Sequence, residues 1–186
     1  MIKHTSMFSQ LLQVFCRYEF SKLVKQRGAD YCIKGFSNWS HFVSMLFCQL
    51  AQAKSLREIC NGLKCCLGKL VHLGLPKAPC KSTLSYANEH RPWELYQDLF
   101  YQTLKTVRAY APGKKKKFRF KNRLLSLDAS IIELSLKMFP WADYNRTKGA
   151  VKLHMLLDHD GYLPAYALVT DGKVFLTVPF LSAGPY

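Results

Sequence analysis

Apolar residues recur at helical spacing through the first part of the chain and at alternate positions through the last part. Residues 8–27 place Phe8, Leu11, Leu12, Phe15 and Leu23 on one stripe, with Gly28 as a stop, which predicts one helix or two short ones. Residues 36–53 are apolar on nearly every side (Trp39, Phe42, Val43, Leu46, Phe47, Leu50), as expected of the most buried helix of a first domain. Ser55-Leu56-Arg57-Glu58 reads as a capping box, in which the Ser and Glu side chains satisfy free amides at a helix start. Leu56, Ile59 and Leu63 then form that helix's buried stripe. Gly68, Gly74, Pro76 and Pro79 mark residues 68–80 as a connector, after which Ser82 is placed to cap a short helix over residues 83–90. Pro92 opens a longer helix with Trp93, Tyr96, Phe100, Leu104 and Val107 on one face, ending by Pro112. Glu94 and Asp98 toward its start and Lys105 and Arg108 near its end suit the helix dipole.

From residue 124 the period shortens to two. Residues 124–130, 131–136, 150–157 and 162–170 read as four strands, the last two joined by Asp158-His159-Asp160-Gly161, which has turn chemistry. Short connections predict an antiparallel meander with Asp128 near one strand end. The fold class is therefore α+β: a helical domain over residues 1–111, a linker over 112–123, a sheet over 124–174 and a tail over 175–186.

Charge adds a partner to this picture. The chain carries 27 basic and 12 acidic residues, a net +15, with the excess spread over both parts. Such a field attracts a polyanion, either nucleic acid or an anionic membrane. The apolar run over residues 42–51 is far short of the roughly 20 residues that a membrane span needs. The opening ten residues lack the basic-then-apolar order of a secretory leader, so the expectation is a soluble cytoplasmic chain with no membrane partner. The seven cysteines include no pair at the two-residue spacing of zinc ribbons, which favours reduced, buried thiols over metal binding.

Several basic and polar groups are candidates for contacting nucleic acid. Lys114, Lys115, Lys116, Lys117, Arg119, Lys121 and Arg123 crowd the linker around Phe118 and Phe120. They read equally as a phosphate-contacting strap or as a solvated linker. Ser85, Tyr86 and Asn88 are expected to face outward from the helix over residues 83–90, where they would reach phosphates or base edges. Together with the helix from residue 55 this is either a helix-turn-helix with an unusually long connector or an ordinary helical bundle with a basic surface. Arg146, Lys148, Lys152 and His154 gather at the start of the third strand. They are candidates for holding a DNA backbone, with an exposed strand face as the alternative. Lys152 and His154 share one face, opposite Val151, Leu153 and Met155. Clustered carboxylates hold the hard cations that phosphodiester cleavage uses. Asp128 alone is a weak sign of that, and on pattern alone a turn-capping or paired aspartate is the better reading.

Asp128-Ala129-Ser130, Phe139-Pro140-Trp141-Ala142, the run from Thr147 to His154, and Thr170-Asp171-Gly172-Lys173-Val174 together resemble bacterial insertion-sequence transposases of the IS-four type. The resemblance spans residues 8–174. It implies a helical DNA-binding domain followed by a ribonuclease H-like fold with an Asp-Asp-Glu triad. It also implies Mg²⁺ as cofactor, action as an oligomer on double-stranded element ends and target DNA, and a bacterial, nucleoid-associated setting. Asp128 matches the first triad carboxylate, as catalytic and metal-binding residue, and no other acidic residue matches the remaining two. Where the family continues with a His-Asp pair this chain has Phe175-Leu176, so the expectation is an incomplete ribonuclease H-like sheet and a truncated, catalytically inactive transposase. A non-catalytic DNA-binding protein is the alternative. A nuclease using Asp128 with Glu133 or Asp143 is a third, weaker reading.

Overall fold

Among the described residues, six α-helices precede four β-strands, so the chain is α+β. The structure, a computed structural model, describes residues 6–31, 33, 35–66, 68–110, 124–134, 143–145, 148–159 and 162–173. Two compact units make up the chain, residues 1–105 and 106–186.

The first hydrophobic stripe resolves into two helices, α1 (Met7–Leu12) and α2 (Arg17–Gln26). Ser6 caps α1 by accepting a hydrogen bond from the Ser9 amide at 3.2 Å, and Gly28, at φ +60°, lies just past the end of α2. In α3 (Asn38–Leu50) the burial is not all-round, as the composition suggests, but confined to the first half. Asn38, Ser40, His41, Phe42, Val43 and Ser44 are buried, whereas Leu50 is exposed. Buried polar groups need partners: Ser44 Oγ donates to the Ser40 carbonyl at 2.7 Å and Asn38 Nδ2 to the Ala29 carbonyl at 3.0 Å, while Asn38 Oδ1 is buried without a hydrogen bond among the described residues. Around α3, Leu12, Phe20, Val24, Phe42, Leu73, Leu75, Leu95 and Leu99 form one core. Phe20 meets Trp39 edge-on at 5.4 Å, a geometry that aligns ring edge with ring face.

The capping box before α4 (Leu56–Cys65) is half formed. Ser55 Oγ accepts from the Glu58 amide at 3.2 Å, but Glu58 Oε2 accepts from the Lys54 amide at 2.8 Å rather than from that of Ser55. A second core joins Ile59, Cys60 and Leu63 of α4 to Leu84 of α5 (Lys81–His90). The intervening connector runs along the surface but is anchored by apolar residues. Leu70–Leu73 form a 3₁₀ turn, and Leu73 and Leu75 are buried in the main core. The residue capping α5 is Cys80 instead of Ser82, and its side chain bonds no backbone amide there. In α6 (Glu94–Tyr110) the fully buried positions are Leu95, Leu99 and Leu104, so the stripe is turned from the expected one and Trp93, just before the helix, is exposed. Asp98 is held by Arg27 in a two-pronged ion pair at 2.6 and 2.8 Å, so its charge faces a specific partner on α2.

In the second unit the two predicted strands over residues 124–136 are one strand, β1 (Leu125–Leu134). It pairs antiparallel with β3 (Lys148–Asp158) without interruption, from Leu125 opposite Asp158 to Leu134 opposite Gly149. Nothing in Asp128-Ala129-Ser130 obliges a break, since neither Gly nor Pro is present. Asp128 therefore lies in mid-strand, not at a strand end. On its other side β3 pairs with β4 (Leu163–Asp171), and the short β2 (Asp143–Asn145) pairs at its start. The β3–β4 register shifts between Leu156 and Leu157, beside Pro164, which has no amide hydrogen to give to the ladder. No helix among the described residues is long and apolar enough to cross a membrane.

Candidate nucleic-acid interface

The register of β1 against β3 decides which side chains can act together. Asp128 is opposite Met155, so it shares a sheet face with Leu153 and with Val169 of β4. Lys152 and His154 are opposite Ile131 and Ala129, on the other face. Both are buried, and His154 Nε2 lies 2.9 Å from Thr170 Oγ1. Burial, and next the nearby Lys152 charge, lower the pKa of His154, favouring the neutral ring. This corrects the expectation that Lys152 and His154 hold a DNA backbone beside Asp128: the pleat puts them behind the sheet from it.

Glu133 is opposite Ala150 and so also lies on the face away from Asp128, which removes it as a co-ligand. Asp171 shares the Asp128 face, but it is two strands away and pairs with Val151, itself opposite Ile132. At ~4.8 Å per strand and ~3.3 Å per residue, that offset separates the two carboxylates by well over 10 Å, too far to share an ion. Among the described residues no group of three His, Cys, Asp or Glu could hold a metal ion. Asp128 is exposed, and its neighbours across the ladder on this face, Met155 and Leu153, are apolar. The linker cations Lys114, Lys115, Lys116, Lys117, Arg119, Lys121 and Arg123, and also Arg146, lie outside the described residues, as do Asp160 and the side chains of Asp143 and Lys148.

The helical unit offers a better-defined surface. Leu84 and Ala87 turn inward from α5, leaving Ser82, Ser85, Tyr86 and Glu89 outward, with Lys81 beside them. Ser85 is exposed, as expected. Asn88 is exposed too, and its side chain also bonds inward: its Oδ1 is 2.5 Å from His41 Nε2, and Tyr96 Oη is 2.7 Å from His41 Nδ1. One self-consistent arrangement has the Tyr96 hydroxyl donating to Nδ1 and Nε2–H donating to Asn88. Burial drives the His41 pKa down to about 4 against the opposing Asn88 bond, and burial raises that of Tyr96. Asn88 thus ties α5 to α3 through its Oδ1 while remaining exposed on α5. Packing of α4 on α5 through Ile59, Leu63 and Leu84 is that of a helix pair, but the long connector with its 3₁₀ turn departs from a compact helix-turn-helix. Lys54, Arg57, Lys64, Lys69, Lys77 and Lys81 are exposed along these two helices and their connector, suiting them to phosphate oxygens.

Two features of this unit have only faint traces in the sequence. One is a cleft of about 440 Å³ between the turn at residues 28–36 and α5. Tyr86 and His90 stack on its rim at 3.9 Å and 18°, a pairing that the four-residue spacing of aromatic rings on a helix permits. Arg91 lines it, with the guanidinium 5.1 Å from the Phe36 ring centre and hydrogen bonds to the carbonyls of Ser37 (3.0 Å) and Phe36. The other is Cys80. Its sulfur lies 3.2 Å from Ser82 Oγ and 2.9 Å from Thr83 Oγ1, and these hydroxyl bonds, Ser82's first, bring the thiol pKa down to about 7.

No curated protein and no solved structure matches this chain. Residues 3–76, from the start of the helical unit through the 3₁₀ connector, match the family described as a domain of unknown function, DUF4372.

Proposed function

We propose that this protein binds double-stranded DNA through its helical unit, as part of the insertion-sequence transposase group that its sequence resembles. The observation that carries the reading is the run of exposed cations from Lys54 to Lys81 along the α4–α5 pair, in a chain of net charge +15. Cations spread along a helix pair neutralise successive phosphates and release their counterions. Ser85 lies on the outward face of α5, where a hydroxyl can reach a phosphate or a base edge. The DUF4372 match falls on this unit, and that domain occurs in transposase-like proteins. An antiparallel sheet with Asp128 on its first strand supports the ribonuclease H-like part of the reading. Mg²⁺-dependent strand cleavage and transfer belong to the proposal through the resemblance alone, because the described carboxylates do not converge. A non-catalytic DNA-binding protein is the second reading, since the exposed cations lie on the helical unit and need no carboxylate site to bind a duplex.

The test is the affinity of the purified chain for a labelled duplex, measured by fluorescence anisotropy between about 50 and 200 mM salt. Several phosphate contacts predict a loss of roughly a hundredfold or more over that range. An affinity indifferent to salt would exclude the proposed mode of binding. Incubation of the same complex with Mg²⁺ separates the two readings: nicked or joined products favour the transposase, intact duplex the non-catalytic binder.

A further inference from the structure

We propose that the cleft beside α5 receives a single unpaired base of bound DNA, held by stacking on the Tyr86–His90 platform. This rests on the DNA-binding reading and adds to it a site for a strand end or a flipped nucleotide. The cleft, at about 440 Å³, falls in the size range of small-ligand sites and accommodates one planar base with its sugar. Its rim is aromatic on two sides. Tyr86 is 64% exposed although one face of its ring stacks on His90, and Tyr31 is 86% exposed. Rings left so open in a cleft wall are unusual for a buried-core role and suit a sequence-tolerant stacking partner, since every base offers a π face. Ala29, Ile33, Ala87 and Pro92 supply apolar walls, which favour a base over a phosphate inside the cleft. Arg91 brings a positive charge to the same lining, favourable for the phosphate attached to the base. The outward face of α5, with Ser82 and Ser85, adjoins Tyr86. A duplex lying along that face would therefore bring its backbone to the cleft mouth.

The platform is prearranged. His90 Nδ1 is 3.0 Å from the Tyr86 carbonyl, a bond within the helix that fixes the imidazole plane against the phenol ring. Binding a base then costs little further ordering of these two side chains.

The experiment compares three duplexes of one sequence: blunt, carrying a one-nucleotide overhang, and carrying an unpaired internal base. The unpaired position holds 2-aminopurine, whose fluorescence falls on stacking. The expected result is roughly tenfold tighter binding of one or both unpaired forms than of the blunt duplex, with quenching of the 2-aminopurine. The preference and the quenching should vanish in Tyr86→Ala and persist in Tyr86→Phe, which keeps the ring; circular dichroism confirms that both variants are folded. Equal affinity of the wild-type chain for all three duplexes overturns the inference while leaving the DNA-binding reading intact. Failure to bind any duplex is the failure of that earlier reading. Persistence of the preference in Tyr86→Ala also overturns the inference. Deoxyadenosine monophosphate, added alone, tests the remaining source of the same chemistry: tight binding that Tyr86→Ala abolishes, without a preference among duplexes, assigns the cleft to a free nucleotide and overturns the DNA end.

Discussion

His41 on α3 and Asn88 on α5 are joined by a 2.5 Å contact, 47 residues apart in the chain, and Tyr96 on α6 closes on the other ring nitrogen at 2.7 Å. One buried imidazole thus ties three helices together. With its pKa lowered from 6.5 to about 4, His41 is neutral in the fold at pH 5 but largely charged in the unfolded chain. The unfolded state then binds more protons, so stability rises with pH in this window. The contribution is full above pH 6.5 and is lost as pH falls toward 4, to an extent of about 3 kcal/mol by the linkage relation. Melting temperatures of wild type and His41→Gln between pH 4 and 7 check this. The wild type should fall more steeply toward acid, and parallel curves would show that His41 titrates normally.

Gly74 and Gly28 both have positive φ, yet their substitution should differ in cost. A β-carbon at Gly28 meets nothing within 4 Å, leaving only the left-handed backbone penalty of about 1–2 kcal/mol. At Gly74 it would fall 1.6 Å from Arg17 Nη2. Arg17 would have to leave the Gly74 carbonyl, 3.3 Å away, and the Trp39 ring, 4.8 Å away. Gly74→Ala should therefore lower stability by about 1 kcal/mol more than Gly28→Ala in urea denaturation. Equal losses would mean that the Arg17 contacts are energetically idle.

Cys80 should be the first thiol to react. A pKa near 7 makes roughly half of it thiolate at neutral pH, against a few per cent for an ordinary cysteine. Mass-mapped alkylation with iodoacetamide at pH 7 should label Cys80 several-fold faster than Cys16 or Cys65, which are also exposed. Ser82→Ala should slow it by removing the foremost of the hydroxyl bonds. A rate at Cys80 no greater than at Cys16 would discount the effect of those hydroxyls.

What the sequence discloses of this chain is what depends on near neighbours. The stripe of α4 and the placing of Lys152 and His154 on one strand face follow from periods of 3.6 and 2, and the structure agrees, whereas in α2 the buried residues are Phe20 and Val24, outside the expected stripe. The single strand β1 was hidden by a change of phase. Polar residues fall on Ser126, Asp128 and Ser130 and then on Glu133, which suggests a break, but the strand runs straight through and leaves Ile131 and Ile132 exposed on opposite faces. Asn88 is exposed, as the polar face of its helix suggests. Only the distant His41 reveals its partner, and no local pattern encodes that contact. Asp128 was placed at a strand end by the same false break, so the site around it could not be assembled correctly.

Salt dependence should separate surface cations from buried ones. Lys81 is exposed at the start of α5, and Lys81→Gln should reduce the slope of log affinity against log salt by about 1. Lys152 is buried in the sheet behind Asp128, so Lys152→Gln should leave that slope unaltered and lower stability instead, by about 1 kcal/mol. The reverse pattern, a flattened slope for Lys152→Gln, would return that residue to the DNA surface.

Asp128 itself supplies the last test, because a functional carboxylate and a structural one respond oppositely to replacement. Aspartate is a poor strand former, and here it stands exposed in the middle of β1 beside Met155 and Leu153 of β3. If its presence serves chemistry and not folding, Asp128→Thr should stabilise the sheet by about 0.5–1 kcal/mol, since a β-branched side chain packs better against those neighbours. Chemical denaturation of the two proteins measures this directly. A residue kept at a cost to stability is one that function retains, so a gain supports the transposase reading even where this chain alone cuts no DNA. A loss of stability would instead show that Asp128 is held by a structural partner, and the resemblance would lose the residue on which its chemistry depends.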